Sequence, residues 1–121
     1  MDESMNPYTD NNVDNNMDKN SLPKEMQRIT AENLWEVIVF CKGKTFYTKK
    51  GLPFTYTVKG GELFTDRRDR SITRSTFEKA FAKLQADREN ESGEKKITGP
   101  KSLNVYGAPY VWAVFMGIGV I

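Results

Sequence analysis

Residues 54–65 of the chain read FTYTVKGGELFT, and this stretch decides the fold class. Apolar side chains alternate with threonine and lysine in its first half, which is the period of a strand with one buried face. The glycines at positions 60 and 61 can adopt positive φ at both central positions of a two-residue turn. We therefore predict a β-hairpin over about residues 53–66, with Phe54, Tyr56 and Val58 on its buried face.

Two amphipathic helices are predicted, one on either side of the hairpin. The first covers about residues 31–41 and is capped by Thr30, and its helical spacing is carried by Leu34, Val37, Ile38 and Cys41. The second covers about residues 74–87 and has its apolar positions at Phe77, Ala80, Phe81 and Leu84. Ser75 with Glu78 has the form of a capping box for this helix, and Thr73 or Ser71 are alternative caps.

The last 25 residues change character. Ile97-Thr98 fits a short strand, residues 99–102 fit a turn, and residues 107–121 are almost continuously apolar. Pro109 favours the first turn of a helix over about residues 109–117. The segment is shorter than the roughly 20 residues that span a bilayer, so we expect it in the core and expect no membrane partner. Together the elements predict an α+β fold, a small antiparallel sheet with about three helices packed on it.

Composition divides the chain at about residue 28. Residues 1–28 are rich in Asn and Asp and carry six acidic and three basic side chains, whereas residues 29–121 carry fifteen basic and ten acidic ones. The first segment has too few apolar residues to offset the entropy lost on ordering. We predict a disordered acidic tail over residues 1–28 and a single compact domain over residues 29–121. Without a secretory or transit pattern, and with one cysteine, a cytoplasmic location is expected.

The residue types of the commonest catalytic and metal sites are missing. The chain has no His and a single Cys, which excludes imidazole triads, His-containing zinc sites and an internal disulfide. Cys41 lies on the apolar stripe of a predicted helix, where a packed thiol is expected. No spacing of carboxylates is typical of an acid–base pair or a metal site. We predict a non-enzymatic protein without cofactor or metal, although distant residues could still assemble a catalytic site.

The basic residues are more informative, because eleven of the fifteen in residues 29–121 fall into three groups. The groups are Lys42, Lys44, Lys49 and Lys50; Arg67, Arg68, Arg70 and Arg74; and Lys95, Lys96 and Lys101. If they share one side of the domain, they form a positive face suited to phosphates. We predict nucleic-acid binding, with DNA as the first candidate, through Lys49, Lys50, Arg67, Arg68, Arg70 and Arg74. Ser75 and Thr76 would add hydroxyl or amide contacts, and Tyr47 or Tyr106 could stack on the bases of a single strand.

Residues 71–84, SITRSTFEKAFAKL, resemble the recognition helix of winged helix-turn-helix regulators, in which a Ser-Arg-x-Thr start precedes a helix with apolar spacing. The resemblance implies that Arg74, Ser75 and Thr76 approach a groove of DNA.

Two other interpretations fit the same residues. The basic groups could be an ordinary solvated surface, since a net charge of +5 over residues 29–121 is moderate. The chain could instead be a protein-interaction or homodimerisation module that uses an open hairpin edge or part of residues 107–121.

Overall fold

The computed structural model describes residues 22–121. Most of the predicted tail, residues 1–21, lies outside the described residues. Leu22, the first described residue, is only 3% exposed and belongs to the core. The short helix α1 (Lys24–Gln27) follows it. The packed sequence therefore includes residues that precede position 29.

The strands form two small antiparallel sheets. Strand β1 (Phe46–Tyr47) pairs with β2 (Pro53–Phe54), and β3 (Tyr56–Lys59), β4 (Glu62–Thr65) and β5 (Ile72–Thr73) form a second sheet in that order. The predicted hairpin is confirmed as β3–β4, with Lys59 opposite Glu62 and two glycines in the turn. Gly60 has a φ of 62°, whereas Gly61 is not in the left-handed region. The turn thus uses positive φ at its first central position, where glycine is favoured.

The three main predicted helices are α2 (Leu34–Phe40), α3 (Arg74–Arg88) and α5 (Ala108–Ile118). Helix α2 begins three residues later than predicted, and Thr30 and Asn33 exchange hydrogen bonds around the turn that precedes it. The Asn33 Oδ1 accepts from the Thr30 amide at 2.7 Å, and the Thr30 hydroxyl accepts from the Asn33 amide at 3.3 Å. The helix then starts after Asn33. In α3 the cap is Thr73, whose side chain accepts from the Thr76 amide, so one of the three candidate caps is used.

Residues 97–103 differ from the sequence prediction. Ile97 and Thr98 form no strand, because their amides donate to the Asp87 carboxylate and to the Ser102 hydroxyl. The predicted turn over residues 99–102 opens the short helix α4 (Pro100–Leu103) instead. Pro100 occupies its first turn, where a missing amide hydrogen costs nothing, and Leu103 is fully buried. These two features favour a helical turn over a plain loop.

A continuous hydrophobic core connects the helices to both sheets. The Phe77 ring lies 6.0 Å from Trp35 and 6.0 Å from Phe115, so α2, α3 and α5 meet there. Phe46 of β1 packs so closely on α5 that a Cβ at Gly117 would lie 2.4 Å from its ring. This close approach fixes β1 and β2 against α5. Within residues 22–121, every helix is too short or too polar to cross a bilayer.

Cys41 at the end of α2 is fully buried, as predicted from the apolar stripe. Burial raises the pKa of its thiol to about 11, against a weaker opposing effect of Lys44. The thiol is therefore neutral near pH 7 and unsuited to nucleophilic chemistry.

Candidate functional site

The eight residues predicted to bind nucleic acid lie at two ends of the hairpin. The Arg74 amide donates to the Gly61 carbonyl at 2.8 Å, which places Arg74, Ser75 and Thr76 at the turn end. The Arg67 guanidinium reaches the Pro53 carbonyl at 3.5 Å, at the open end. The four residues of β4 separate these ends by about 10 Å. The predicted set is thus divided, and the open end holds most of its cations.

At the turn end, the polar side chains are engaged with one another. Arg74 pairs with Glu78 at 2.9 Å, one turn along α3. The Thr73 hydroxyl lies 3.0 Å from that of Ser75 and 3.1 Å from that of Thr76. Strand β5 runs directly into α3, whereas a recognition helix follows another helix through a short turn. The resemblance to winged helix-turn-helix regulators therefore does not extend to the fold in front of α3.

At the open end, a cleft of about 640 Å³ lies between the β1–β2 turn, α4 and the start of α5. Four cations from three separate segments line it: Lys49 and Lys50 from the turn, Arg68 from the 66–71 loop and Lys101 from α4. None of the described residues that line it carries a carboxylate. Its walls are largely apolar, and they are formed by Leu52, Pro100, Val105, Ala108, Pro109 and Tyr110. We call this feature the basic cleft.

Hydrogen bonds hold the β1–β2 turn in place. The Thr48 amide donates to the Leu52 carbonyl at 2.9 Å, the Leu52 amide to the Thr48 hydroxyl at 3.1 Å, and the Gly51 amide to the Thr48 carbonyl at 2.8 Å. Lys49 extends from this turn across the cleft, where its Nζ lies 3.0 Å from the position that a Cβ at Gly99 would occupy. The ammonium group therefore reaches the residue in front of α4.

Aromatic rings position the arginines of the 66–71 loop. The Arg68 guanidinium lies 5.3 Å from the centroid of the Tyr106 ring and 5.9 Å from that of Tyr110. Arg70 lies over the Tyr106 ring at 4.5 Å. These cation–π contacts orient the planar groups and leave their N–H donors at the edge. Tyr106 thus holds two arginines, and its half-buried ring is not the open stacking platform that the sequence suggested.

Tyr47 and Lys95 are two candidates that lie outside the cleft lining. Tyr47 is 49% exposed but does not line the basic cleft. Lys95 closes the end of α3, where its Nζ donates to the carbonyls of Asp87 and Arg88 at 3.2 and 3.1 Å. Of the third basic group, Lys101 is the member that lines the cleft.

Sequence reasoning placed Lys101 in a basic group without selecting it as a site residue, and it missed the apolar walls entirely. Leu52 and Tyr110 are more than fifty residues apart in sequence, and no local pattern relates them. The packing of α5 against β1 and β2 brings them together, through Phe54 and Tyr110 with ring centroids 5.0 Å apart.

No protein-family model, curated protein or solved structure matches this chain. Fold and site together define an α+β domain with a cleft that is lined by four cations and by apolar side chains.

Proposed function

We propose that this chain is a non-enzymatic binding protein for nucleic acid, with DNA as the first candidate, and that it binds phosphates in the basic cleft. The single observation that carries the proposal is the convergence of Lys49, Lys50, Arg68 and Lys101, from three segments, on one concave surface. A cleft lined by one sign of charge attracts ligands of the opposite sign. Lys and Arg contacts to phosphates supply much of the affinity of nucleic-acid binding.

The cations of the cleft have different roles in this proposal. Arg68 is held by Tyr106 and Tyr110, so its fork is ready to bind one phosphate through two hydrogen bonds. Lys49, Lys50 and Lys101 act as point charges on flexible stems. Arg67 and Arg70 lie in the same loop as Arg68, together with Asp66 and Asp69, and in this proposal they contact phosphates outside the cleft. These contacts position the ligand and carry no base sequence information.

Fluorescence anisotropy of labelled single-stranded DNA, duplex DNA and RNA tests the proposal at about 50 and 200 mM salt. We expect binding at the lower salt concentration that weakens steeply at the higher one, because bound phosphates release counterions. Absence of binding to all three probes at the lower concentration would overturn the proposal. It would favour the interaction-module alternative, for which the exposed Phe40 and Met116 offer apolar surface.

Charge reversal assigns the binding to the cleft. The Lys50→Glu/Lys101→Glu variant should lower the affinity at least about tenfold and reduce the log–log salt slope by roughly two units. The matched control is Lys42→Glu/Lys79→Glu, which changes the net charge equally at exposed positions outside the cleft lining. Equal loss in both variants would contradict a role for the cleft, because it would reduce the effect to net charge.

A further inference from the structure

Resting on the proposed function, we infer that the ligand is a single strand, and that one unpaired nucleobase occupies the apolar part of the basic cleft while the adjoining phosphates contact its cations. The juxtaposition of apolar side chains and four cations in one cleft is the feature that leads to this ligand class.

The apolar wall distinguishes an unpaired base from a duplex. A duplex keeps its bases stacked inside and presents phosphates and groove edges, so it offers little apolar surface to Leu52, Val105 and Pro109. An unpaired base exposes both faces and loses unfavourable contact with water when it packs on apolar or aromatic side chains. Leu52 lines the cleft and is 46% exposed, so such a face would cover it.

The walls are already ordered, so a base would enter without rebuilding them. The Tyr110 ring packs edge-on against Phe54 at 5.0 Å, with an angle of 88° between the planes. Leu52 is held on the other wall by the two hydrogen bonds between its backbone and Thr48. A site that is formed before binding loses little conformational entropy when the ligand arrives.

The distribution of charge favours a strand over a free nucleotide. A nucleoside monophosphate carries one phosphate, which one or two of the four cations can neutralise. The cations come instead from three separate segments around the apolar wall. Phosphates on both sides of a bound base, as in a strand, match this arrangement.

The test compares three labelled probes on the full chain at about 50 mM salt. They are a short oligothymidine, an abasic strand of the same length and charge, and a duplex that contains the thymidine strand. We expect the oligothymidine to bind about tenfold more tightly than the abasic strand and the duplex. Thymidine monophosphate at the same phosphate concentration should leave the labelled oligothymidine bound.

A substitution that changes no charge tests whether the difference in affinity between the probes depends on the apolar wall of the cleft. Leu52→Ser should weaken binding of the oligothymidine about threefold or more and leave the abasic strand unchanged, because it removes apolar contact and no charge. Met116→Ser, at a position that is 54% exposed and outside the cleft lining, is the control and should change neither affinity. Both side chains are among the exposed large hydrophobic residues, so we expect both variants to fold.

The outcomes separate this inference from the proposed function. Equal affinity for the oligothymidine and the abasic strand, or equal affinity for the duplex, overturns the inference and leaves phosphate binding in place. If thymidine monophosphate displaces the labelled oligothymidine, the ligand is a nucleotide and not a strand, and the inference is also overturned. If Leu52→Ser leaves the affinity for the oligothymidine unchanged, the base does not bind in the cleft and the inference is overturned. If none of the probes binds, the proposed function falls as well.

Discussion

Tyr56 joins the hairpin to helix α2 through a buried hydrogen bond. Its hydroxyl donates to the Ile38 carbonyl oxygen at 2.5 Å. In a continuing helix the Lys42 amide would donate to the Ile38 carbonyl, but here it donates to the Val39 carbonyl at 3.2 Å. The Tyr56 hydroxyl therefore provides the hydrogen-bond donor for the Ile38 carbonyl. Burial, with a smaller effect of Cys41, raises the pKa of Tyr56, and the hydroxyl therefore remains a donor at neutral pH.

Removal of this hydroxyl should destabilise the protein. In Tyr56→Phe the buried carbonyl loses its donor, and we expect the free energy of unfolding to fall by about 1–3 kcal/mol. Urea unfolding followed by tryptophan fluorescence measures the change. The matched control is Tyr47→Phe, at a side chain that is 49% exposed, which should alter stability by less than about 0.5 kcal/mol. Equal effects of the two variants would contradict the role of the hydrogen bond.

Single residues were predictable where their environment follows from local spacing. Cys41 falls on the apolar stripe of a helix, and its burial is confirmed. The contact between Tyr56 and Ile38 could not be predicted, because it depends on the angle at which the hairpin meets α2. Tyr106 shows the same limit, since nothing near it in sequence indicates that Arg68 and Arg70 fold back onto its ring.

At the scale of elements, the Asp87 carboxylate holds the loop that follows α3. It accepts from the Lys96 amide at 2.9 Å and from the Ile97 amide at 3.2 Å. These bonds, led by that from Lys96, lower the pKa of Asp87 below its ordinary value of 3.8, and the charges of Lys95 and Lys96 act in the same direction. The Asp87 carboxylate thus binds the amides of the loop, while Lys95 binds the last carbonyls of α3.

The pH dependence of this loop follows from the lowered pKa. A carboxyl group whose pKa is lower in the folded state contributes stability above its unfolded pKa, and the contribution is lost as the pH falls through the folded pKa. We expect the NMR amide signals of Lys96 and Ile97 to shift together with a midpoint below pH 3.8. Asp87→Asn should abolish that transition. A midpoint at or above 3.8 would contradict the lowered pKa.

Elements were predictable where periodicity is local. The hairpin, α3 and α5 carry their own spacing and caps, so the α+β class and the order of the main elements are confirmed. Helix α4 was missed because four residues are too few for a periodic signal, and its formation depends on the burial of Leu103. The Lys83 ammonium also donates to the Leu103 carbonyl at 2.8 Å, a contact between residues twenty positions apart.

At the scale of the whole molecule, the fold selects among the basic residues. Each of the three basic groups in the sequence contributes to the basic cleft. The first group supplies Lys49 and Lys50, the second supplies Arg68 and the third supplies Lys101. Arg74 lies at the turn end of the hairpin and Lys95 at the end of α3. The grouping of charges in the sequence thus predicts a positive surface. The location of that surface depends on the packing of α5 on β1 and β2, and no local sequence pattern predicts this packing.

The central claim, that the basic cleft is the nucleic-acid site, is tested most directly by NMR chemical-shift perturbation. The ¹⁵N-labelled full chain is titrated with unlabelled oligothymidine. We predict that the largest amide shifts occur at Leu52, Lys101 and Val105, while Gly60 and Gly61 at the turn end remain unchanged. Shifts concentrated at the turn end and the start of α3, or no shifts at all, would contradict the account.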